Sequence, residues 1–331
     1  MKRKILLTGG AGFIGLHLTN RLLDEGFEVD IVDNFSRAVD DPDLKNTLGR
    51  DSVRLYNLDL LNTKNVKKFG SDYYVIIHLA AIVGVKQVTK QPMRVLQDNV
   101  NLLGNVIQLA QSQDKLFRLL FSSTSEVYAG TLKHFDLPLP TPEETPLTIT
   151  DLKHPRSSYM LSKIFGEALC FQSGLPVTIF RPHNIYGPRM GLSHVIPELL
   201  KRSWQSKNGR KLDVYSVKHR RSFCYIEDAV EMLVKMILLE SCSGKVLNLG
   251  KQGPEVSIKE VAEIVMKVQG KELLINSLNE DSGSPSRRAP DMKLTKTLIS
   301  YEAKVELEEG IRHTFEWYEK NVFQNKIVFA I

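Results

Sequence analysis

Residues 8–15, Thr-Gly-Gly-Ala-Gly-Phe-Ile-Gly, follow a short apolar run and precede a helical pattern. In such a stretch Gly9 permits a tight turn, Gly12 lets the main chain approach a pyrophosphate, and Gly15 lets the helix pack closely against the strand. A diphosphate would lie at the helix N-terminus, where free N–H groups and the helix dipole favour an anion. The stretch therefore predicts a strand–turn–helix unit that binds a dinucleotide.

Short β-branched runs alternate with longer helical patterns through the first 180 residues. The predicted strands are Lys4–Thr8, Glu28–Asp33, Val53–Leu58, Tyr74–Leu79, Phe117–Ser122 and Val177–Arg181. The predicted helices are Phe13–Glu25, Val95–Gln111 and Ser157–Gln172. This alternation builds a parallel sheet with helices on both faces. We therefore expect an α/β fold in which residues 1–182 form a Rossmann-type, doubly wound NAD-binding domain that includes the catalytic residues.

The pattern changes after Pro182, where helices are separated by short strands and polar loops. The predicted helices here are Val195–Ser206, Asp228–Glu240, Ile258–Val268 and Leu307–Lys320. The polar stretch Asn279–Pro290 is expected to be a flexible loop. We expect residues 183–331 to form mainly a smaller C-terminal lobe that binds the substrate.

The composition is that of a globular protein of 331 residues, with 42% hydrophobic and 25% charged residues. The net charge of +6 comes from scattered residues, which favours an ordinary solvated surface over nucleic-acid binding. Nothing approaches 18 uninterrupted apolar residues, so we expect no membrane span. Cys170, Cys224 and Cys242 form no CxxC pair and have no His-rich ligand spacing around them. This argues against a metal site and disulfides, and it indicates a cytoplasmic protein.

Asp33 ends the second predicted strand, 18 residues after Gly15. Its carboxylate can accept hydrogen bonds from the adenosine ribose hydroxyls and would repel a 2′-phosphate, so NAD is favoured as the cofactor. Arg37 nearby leaves NADP open. Further cofactor contacts are expected from residues that open the first helix or follow the next strands, although several of these positions could equally be plain packing: Phe13, Ile14, Asn34, Asp59, Leu60, Leu79, Ala80 and Ala81.

Tyr159 and Lys163 are four residues apart in a helical pattern, so one turn places them on the same face. A phenol with a pKa of ~10 is a poor base at neutral pH, but an adjacent ammonium, together with the positive nicotinamide ring, favours its ionised form. Tyr159 is therefore a plausible proton acceptor, and Lys163 can also hold the nicotinamide ribose. Thr124 follows the fifth strand and would face the same crevice, where its hydroxyl could hold the substrate oxygen.

Six segments carry a resemblance in both order and spacing: TGGAGFIG, HLAA, SSTSEVY, SYMLSK, RPHNIYGPRMG and RRSFCYIEDAV. From residue 4 to about 320 the chain resembles the extended short-chain dehydrogenase/reductase family, in its NAD-dependent nucleotide-sugar epimerase, dehydratase and decarboxylase branch. The resemblance implies that a tightly held NAD takes a hydride from C4 of the sugar, with Thr124, Tyr159 and Lys163 as the redox set.

The same resemblance implies that Asn184, Arg221 and Arg288 contact the diphosphate or the sugar hydroxyls of a nucleotide-sugar substrate. It also implies a homodimer, because the helices Val95–Gln111 and Ser157–Gln172 resemble the pair that forms a four-helix interface in the family. The apolar faces of these helices could equally belong to the internal core.

The reaction that follows C4 oxidation depends on the residues after Thr124. Glu126 could be a second base, and in resembling enzymes Glu at this place is more typical of dehydratases and decarboxylases, whereas simple epimerases have a small residue. Ser125, a further catalytic candidate, stands where one dehydratase subgroup has an acidic Asp. We expect a dehydratase or decarboxylase acting on a UDP-linked hexose, with C4 epimerisation as the alternative. A non-catalytic NAD-sensing protein is less favoured, because the tyrosine, lysine and hydroxyl are all present.

The segment between Thr124 and Tyr159 is longer than we expect for a simple epimerase and is rich in Pro and Thr. We expect the stretch around residues 133–156 to form an ordered lid over the sugar. This lid could supply a residue such as His134 or Arg156 to the site.

Overall fold

The computed structural model describes residues 3–135, 139–149, 151–279 and 285–324. In chain order its strands are β1 Lys4–Thr8, β2 Glu28–Asp33, β3 Val53–Asn57, β4 Tyr73–His78, β5 Arg118–Ser122, β6 Val177–Pro182, β7 Ile185–Tyr186, β8 Lys211–Tyr215, β9 Arg220–Arg221, β10 Cys224–Tyr225, β11 Lys245–Leu249, β12 Val256–Ser257, β13 Leu274–Leu278 and β14 Arg287–Arg288.

Its helices are α1 Phe13–Asp24, α2 Pro42–Leu48, α3 Thr63–Val66, α4 Val85–Lys90, α5 Pro92–Gln111, α6 Ala129–His134, α7 Ser157–Gln172, α8 Val195–Gln205, α9 Ile226–Leu238, α10 Ile258–Gln269, α11 Lys293–Ile299 and α12 Leu307–Tyr318. The predicted helices differ from these mainly at their ends. Helix α5, for example, begins at Pro92 rather than Val95, because a proline is preorganised for the first helical turn. Within the described residues, no helix combines the length and apolarity needed to cross a lipid bilayer.

The main sheet has the strand order β11-β6-β5-β4-β1-β2-β3, and its strands pair in parallel. This confirms the predicted Rossmann-type α/β fold, and each of the six predicted strands lies within a residue of its observed bounds. The edge strand β11 was not predicted. It comes from the second half of the chain and pairs with β6, from Lys245 opposite Thr178 to Leu249 opposite Pro182.

Two apolar cores cover the faces of this sheet. Successive side chains of a strand point to opposite faces, so Ile5 and Leu7 pack in one core together with α1 and α9, whereas Leu6 packs in the other with α5. Strands buried on both faces explain the continuous apolar runs of the first half. Helices α5 and α7 lie side by side over the second core.

The second half of the chain adds small sheets, with β8 pairing with β13, β7 with β10, and β9 with both β12 and β14. The stretch Asn279–Pro290 was expected to be a loop throughout. Residues 280–284 lie outside the described part of the chain, but Arg287–Arg288 form β14, which pairs in parallel with Arg220–Arg221 of β9. This part of the expectation was wrong, because pairing with a distant strand orders the segment.

Candidate active site

A cavity of about 710 Å³ opens at the carboxyl ends of β1, β2, β4 and β5. In doubly wound sheets this edge is where ligands bind. The cavity is lined by nearly all of the site residues predicted from the sequence: Gly9, Gly12, Phe13, Ile14, Gly15, Asp33, Asn34, Asp59, Leu60, Leu79, Ala80, Ala81, Thr124, Ser125, Glu126, Tyr159, Lys163, Asn184 and Arg288. Arg221 is a predicted site residue that is not among the described residues lining the cavity.

The glycine loop between β1 and α1 leaves no room for side chains. A Cβ at Gly9 would lie 2.8 Å from the main-chain nitrogen of Ala80, and one at Gly15 would lie 2.4 Å from the carbonyl oxygen of Gly9. Gly12 is the N-cap of α1 and brings no side-chain cap. Helix geometry leaves the first-turn N–H groups without intrahelical acceptors, so this end of α1 can hold a diphosphate.

Asp33 ends β2 and lies beside the glycine loop. Its Oδ2 accepts a hydrogen bond from the Ala11 N–H at 3.2 Å, and its Oδ1 accepts one from the Phe35 N–H at 2.9 Å. Burial raises the pKa of the Asp33 carboxyl group, and these N–H donors oppose that rise. The carboxylate therefore shapes the loop while lining the cavity where an adenosine ribose would lie. Together the cradle, the helix terminus and this carboxylate fit NAD.

The side chains of the redox set, Thr124, Tyr159 and Lys163, line the cavity near the end of β5. Thr124 precedes a turn of 3-10 helix over Ser125–Tyr128, and its Oγ1 accepts a hydrogen bond from the Glu126 N–H at 3.2 Å. Lys163 is almost fully buried, and its Nζ donates to the Ser122 carbonyl oxygen at 2.7 Å. The same Nζ lies 5.9 Å from the centre of the Tyr159 ring, so the spacing of four residues does place both on one face of α7.

Burial raises the pKa of the Tyr159 phenol, and the Glu126 carboxylate raises it further. The hydrogen bond with Thr124 and the charge of Arg37 act in the opposite direction. Burial also lowers the pKa of Lys163 to about 8. From the sequence we expected Lys163 and the nicotinamide ring together to favour the ionised form of Tyr159. In the structure the effects of burial and Glu126 on the pKa of Tyr159 outweigh those of Thr124 and Arg37, so this pKa lies above its ordinary value.

A buried ion pair supports the 3-10 turn that carries Glu126. The Arg181 guanidinium donates to both carboxylate oxygens of Glu167, at 2.9 and 2.6 Å, and its Nη1 donates to the Tyr128 hydroxyl at 2.7 Å. The Ser123 hydroxyl donates to the same carboxylate. Helix α7 and strands β5 and β6 are thereby tied together under the redox set. Sequence reasoning missed Glu167 and Arg181, because these residues of α7 and β6 meet only where the helix packs on the sheet.

Arg288 and Glu126 both line the cavity, close enough for their charges to interact. Burial lowers the pKa of Arg288, the carboxylate of Glu126 raises it, and the nearby positive charge of Arg156 lowers it again. Arg288 is partly buried, and a cation in the cavity lining is suited to an anionic part of a substrate.

Asn184 lines the cavity at the end of β6, and its Nδ2 donates to the Ser222 carbonyl oxygen at 2.9 Å. The structure does not bring Arg221 to the cavity. Its guanidinium donates to the carbonyl oxygens of Pro285 at 2.6 Å and Ser286 at 3.1 Å, and therefore orders the segment that leads into β14. Burial and the charge of Arg288 lower the pKa of Arg221 to about 9.

The long segment before Tyr159 packs against the strand that carries Arg288. The Thr141 N–H donates to the Ala289 carbonyl oxygen at 2.8 Å, and the Asp291 N–H donates to the Thr141 carbonyl oxygen at 2.9 Å. The buried Glu143 carboxylate accepts from the Asn248 N–H at 2.9 Å. His134 ends α6 as an exposed residue outside the cavity lining, whereas residues 136–138 and 150 lie outside the described part. The segment thus supports the substrate end through main-chain pairing.

The cavity lining also includes Arg37, Arg189 and His194. The first was considered in the sequence only as a reason to leave NADP open. Arg189 lies within the motif RPHNIYGPRMG, and His194 follows three residues after that motif.

The model of a known family, the NAD dependent epimerase/dehydratase family, matches residues 5–250. The chain belongs to this family. The predicted family, fold class and NAD cofactor are confirmed, since solved neighbours of the same fold contain NAD. This member of the NAD-dependent epimerase/dehydratase family is an NAD-dependent nucleotide-sugar enzyme.

Three relatives represent three reactions. The UDP-N-acetyl-alpha-D-glucosaminuronate decarboxylase of Bacillus cytotoxicus is 31% identical, over 97% of this chain and 99% of its own length. The structure of the NAD-dependent NDP-hexosamine 5,6-dehydratase TunA, from tunicamycin biosynthesis, is 28% identical with a TM-score of 0.80, covering 96% of this chain and 98% of that one. The UDP-glucuronic acid 4-epimerase of Bacillus cereus, solved with UDP-glucuronic acid and NAD, is 25% identical with a TM-score of 0.83, covering 96% and 99%.

Proposed function

We propose that the enzyme decarboxylates a UDP-linked hexuronic acid after transient oxidation at C4 of the sugar. The observation that carries this proposal is the partly buried Arg288, which lines the cavity together with Glu126 and Tyr159. A cation there suits a carboxylate at C6 of the sugar. Several relatives that span most of this chain, including the one from Bacillus cytotoxicus, act on UDP-uronic acids as decarboxylases, which supports both the uronic acid and UDP.

The first step needs a proton acceptor at the C4 hydroxyl. Tyr159 would take this proton. The Thr124 hydroxyl, which is hydrogen-bonded to Tyr159, would hold the C4 oxygen of the sugar. NAD, when bound, supplies the hydride acceptor and the positive charge that helps to ionise the phenol. Lys163 contributes its ammonium below a pH of about 8, which is its pKa in the buried site.

Decarboxylation fits the residues after Thr124 better than dehydration does. With a ketone at C4, a carboxylate on C5 belongs to a β-keto acid, so its bond to C5 can break and leave carbon dioxide and an enolate. Loss of a C6 hydroxyl as water would instead require an acid beside the leaving oxygen. The corresponding position holds the buried Ser125, whose hydroxyl is a weak acid. We assign delivery of a solvent proton to C5 to the Glu126 carboxyl group. Return of the hydride to C4, and of the proton from Tyr159 to the C4 oxygen, then completes a redox-neutral cycle.

The remaining site assignments belong to the same proposal. The cofactor contacts are assigned to the glycine loop, Asp33 and the residues after β2, β3 and β4 that line the cavity. We retain Asn184 and Arg288 as substrate contacts. Arg221 is assigned to ordering the segment before β14 rather than to direct contact. Residues 1–182 form the NAD-binding domain and 183–331 mainly the substrate lobe, with β11 returning to complete the first sheet.

We also propose a homodimer formed through α5 and α7. These helices lie side by side, and α7 exposes Phe165 and Phe171 by 52% and 45%. Exposed aromatic rings on one helix are typical of an interface. Light scattering should give the mass of a dimer, and Phe165→Glu should give the mass of a monomer. A reducing compartment, the cytoplasm, is proposed because the three cysteines are free thiols.

The deciding experiment incubates the purified enzyme with UDP-glucuronic acid and UDP-N-acetylglucosaminuronic acid and measures product masses. Loss of carbon dioxide without net NADH release is expected. A product of unchanged mass would overturn decarboxylation in favour of C4 epimerisation. Loss of water from any member of a panel of UDP-, GDP-, CDP- and dTDP-hexoses would favour a dehydratase.

Two neighbouring arginines provide a matched pair for the role of Arg288. Arg288→Met should abolish decarboxylation because it removes this cation from the cavity lining. Arg287→Met should leave it unchanged, since the exposed Arg287 side chain pairs with Glu255 at 2.6 Å instead of lining the cavity. Equal activity of the two variants would contradict the assignment.

A further inference from the structure

The loop after β7, residues 187–191, reaches back from the second half of the chain to the cofactor loop. It is held from both sides. The His17 ring nitrogen Nε2 on α1 is 3.1 Å from the Pro188 carbonyl oxygen, and the Tyr318 hydroxyl on α12 donates to the Met190 carbonyl oxygen. At its centre Arg189 has a φ of +66°, a backbone region that residues with a side chain rarely adopt. Such a conformation persists where the surroundings enforce it.

All three nitrogens of the Arg189 guanidinium donate hydrogen bonds to residues in or near the glycine loop. Its Nε donates to Asp41 Oδ2 at 2.7 Å, and both members of this ion pair are almost fully buried. Its Nη2 donates to the Val39 carbonyl oxygen at 3.3 Å. Its Nη1 donates to the carbonyl oxygens of Ala11 and Gly12, at 3.3 and 3.4 Å.

We propose that Arg189 is a positioning residue for NAD, which clamps the glycine loop in the shape that binds the diphosphate and couples that shape to the substrate lobe. The clamp joins three segments that are far apart in the chain: the glycine loop, the segment that leads into α2, and the loop after β7.

The peptide geometry explains how such a clamp acts on the cofactor. A trans peptide holds its N–H opposite its C=O. Bonds from Arg189 to the Gly12 carbonyl oxygen therefore set the direction of the Phe13 N–H, one of the first-turn donors at the N-terminus of α1. Asp41 adds rigidity from the other side, because its Oδ1 caps α2 by accepting from the Leu44 N–H at 2.9 Å.

Arg189→Lys tests the clamp, because lysine keeps the charge but cannot reach four acceptors with a planar fork. We expect the NAD content of the purified protein to fall and the Kd for NAD, measured by titration calorimetry on protein freed of NAD, to rise at least tenfold. Turnover at saturating NAD should recover to within about threefold of the wild type, since the catalytic groups are untouched.

Arg118→Lys is the matched control. Arg118 is also fully buried, but it lies at the start of β5 and donates to the Thr178 hydroxyl at 2.8 Å, at the edge of the sheet opposite the cavity. This variant should lose thermal stability without a change in the Kd for NAD. An Arg189→Lys protein with wild-type Kd would refute the clamp, as would an equal rise in Kd for Arg118→Lys.

Asp41→Asn gives a second test if Arg189→Lys does not fold, because it removes only the ionic partner and leaves an oxygen for the α2 cap. We expect its Kd for NAD to rise by a smaller factor, about threefold or more, and an unchanged Kd would again refute the clamp. NAD binding is measured here without any sugar, so these outcomes are independent of which nucleotide-sugar reaction the enzyme performs.

Discussion

Gly15→Ala should weaken NAD binding strongly, because a single methyl group has no space at this position. Its carbon would lie 2.4 Å from the Gly9 carbonyl oxygen and 2.6 Å from Gly10 Cα. Carbon atoms normally keep a distance of about 3.5 Å from such neighbours, so the glycine loop and α1 must separate by roughly 1 Å. Both contacts are main-chain atoms, which cannot rotate away as a side chain could.

The expected magnitude follows from this displacement. Overpacking of this kind costs about 1–3 kcal/mol of folding free energy. A diphosphate hydrogen bond of about 2.9 Å that lengthens by roughly 1 Å is lost. Each hydrogen bond to a charged group contributes about 1.5–3 kcal/mol. The loss of even one raises the Kd for NAD by roughly 10- to 150-fold, at about 1.4 kcal/mol per factor of ten.

The assay is calorimetric titration of NAD into the NAD-free protein, together with the NAD content after purification. Gly49→Ala is the control. Gly49 has an ordinary φ of −75°, and a Cβ there would meet its nearest atoms at 3.5 Å. That variant should bind NAD normally and gain up to about 0.4–1 kcal/mol of stability from a less flexible unfolded chain. If Gly15→Ala bound NAD with a Kd within twofold of Gly49→Ala, the role given to the tight loop would be wrong.

Three other perturbations probe the site and its surroundings. Tyr159→Phe should retain NAD but lose roughly 10²–10⁴-fold in kcat, because the C4 proton loses its acceptor; steady-state kinetics with full NAD occupancy checks this. Asp33→Ser should narrow the preference for NAD over NADP, since the repelling carboxylate goes while Arg37 still lines the cavity; the ratio of the two Kd values is the readout. Burial lowers the pKa of His183 to about 3, so between about pH 3 and 6.5 the unfolded chain binds one more proton than the folded chain, and stability falls as pH drops through this window. Between pH 7.5 and pH 5 His183→Asn should therefore lose about 2 kcal/mol less than the wild type in urea unfolding, whereas the exposed His134→Asn should behave like the wild type.

The parts of the fold that short-range patterns determine could be predicted from the sequence. The strands β1 and β2 and the helix α7 match the predicted bounds at both ends. Continuous apolar runs and glycine punctuation are local signals, and a parallel sheet follows from their alternation. The cavity residues could be predicted for the same reason, because the carboxyl ends of parallel strands meet at one edge.

The parts that were missed depend on pairing between distant segments. Strand β11 is a run of five residues whose partner β6 lies more than sixty residues earlier, and nothing in its own pattern indicates that partner. Arg221 was expected at the substrate because an arginine suits a phosphate. The structure shows that main-chain carbonyl oxygens of the 285–286 segment compete for the same donors. Composition cannot reveal such competition, since any arginine satisfies either kind of acceptor.

The site residues that local sequence patterns predict and those that depend on distant pairing have different roles. The oxidation at C4 requires a phenol and an ammonium at a fixed short distance, which one turn of α7 supplies by itself. In the reaction that we propose, recognition of the group at C6 is assigned to Arg288, whose strand must be held in place at the cavity. Arg288 obtains that support from β9 on one side and from the segment around Thr141 on the other. Under the proposed function, the substrate preference should therefore depend on the packing of residues 141–145 as well as on Arg288. It follows that transplanting Arg288 alone into a family member with a shorter segment would place the cation without holding it.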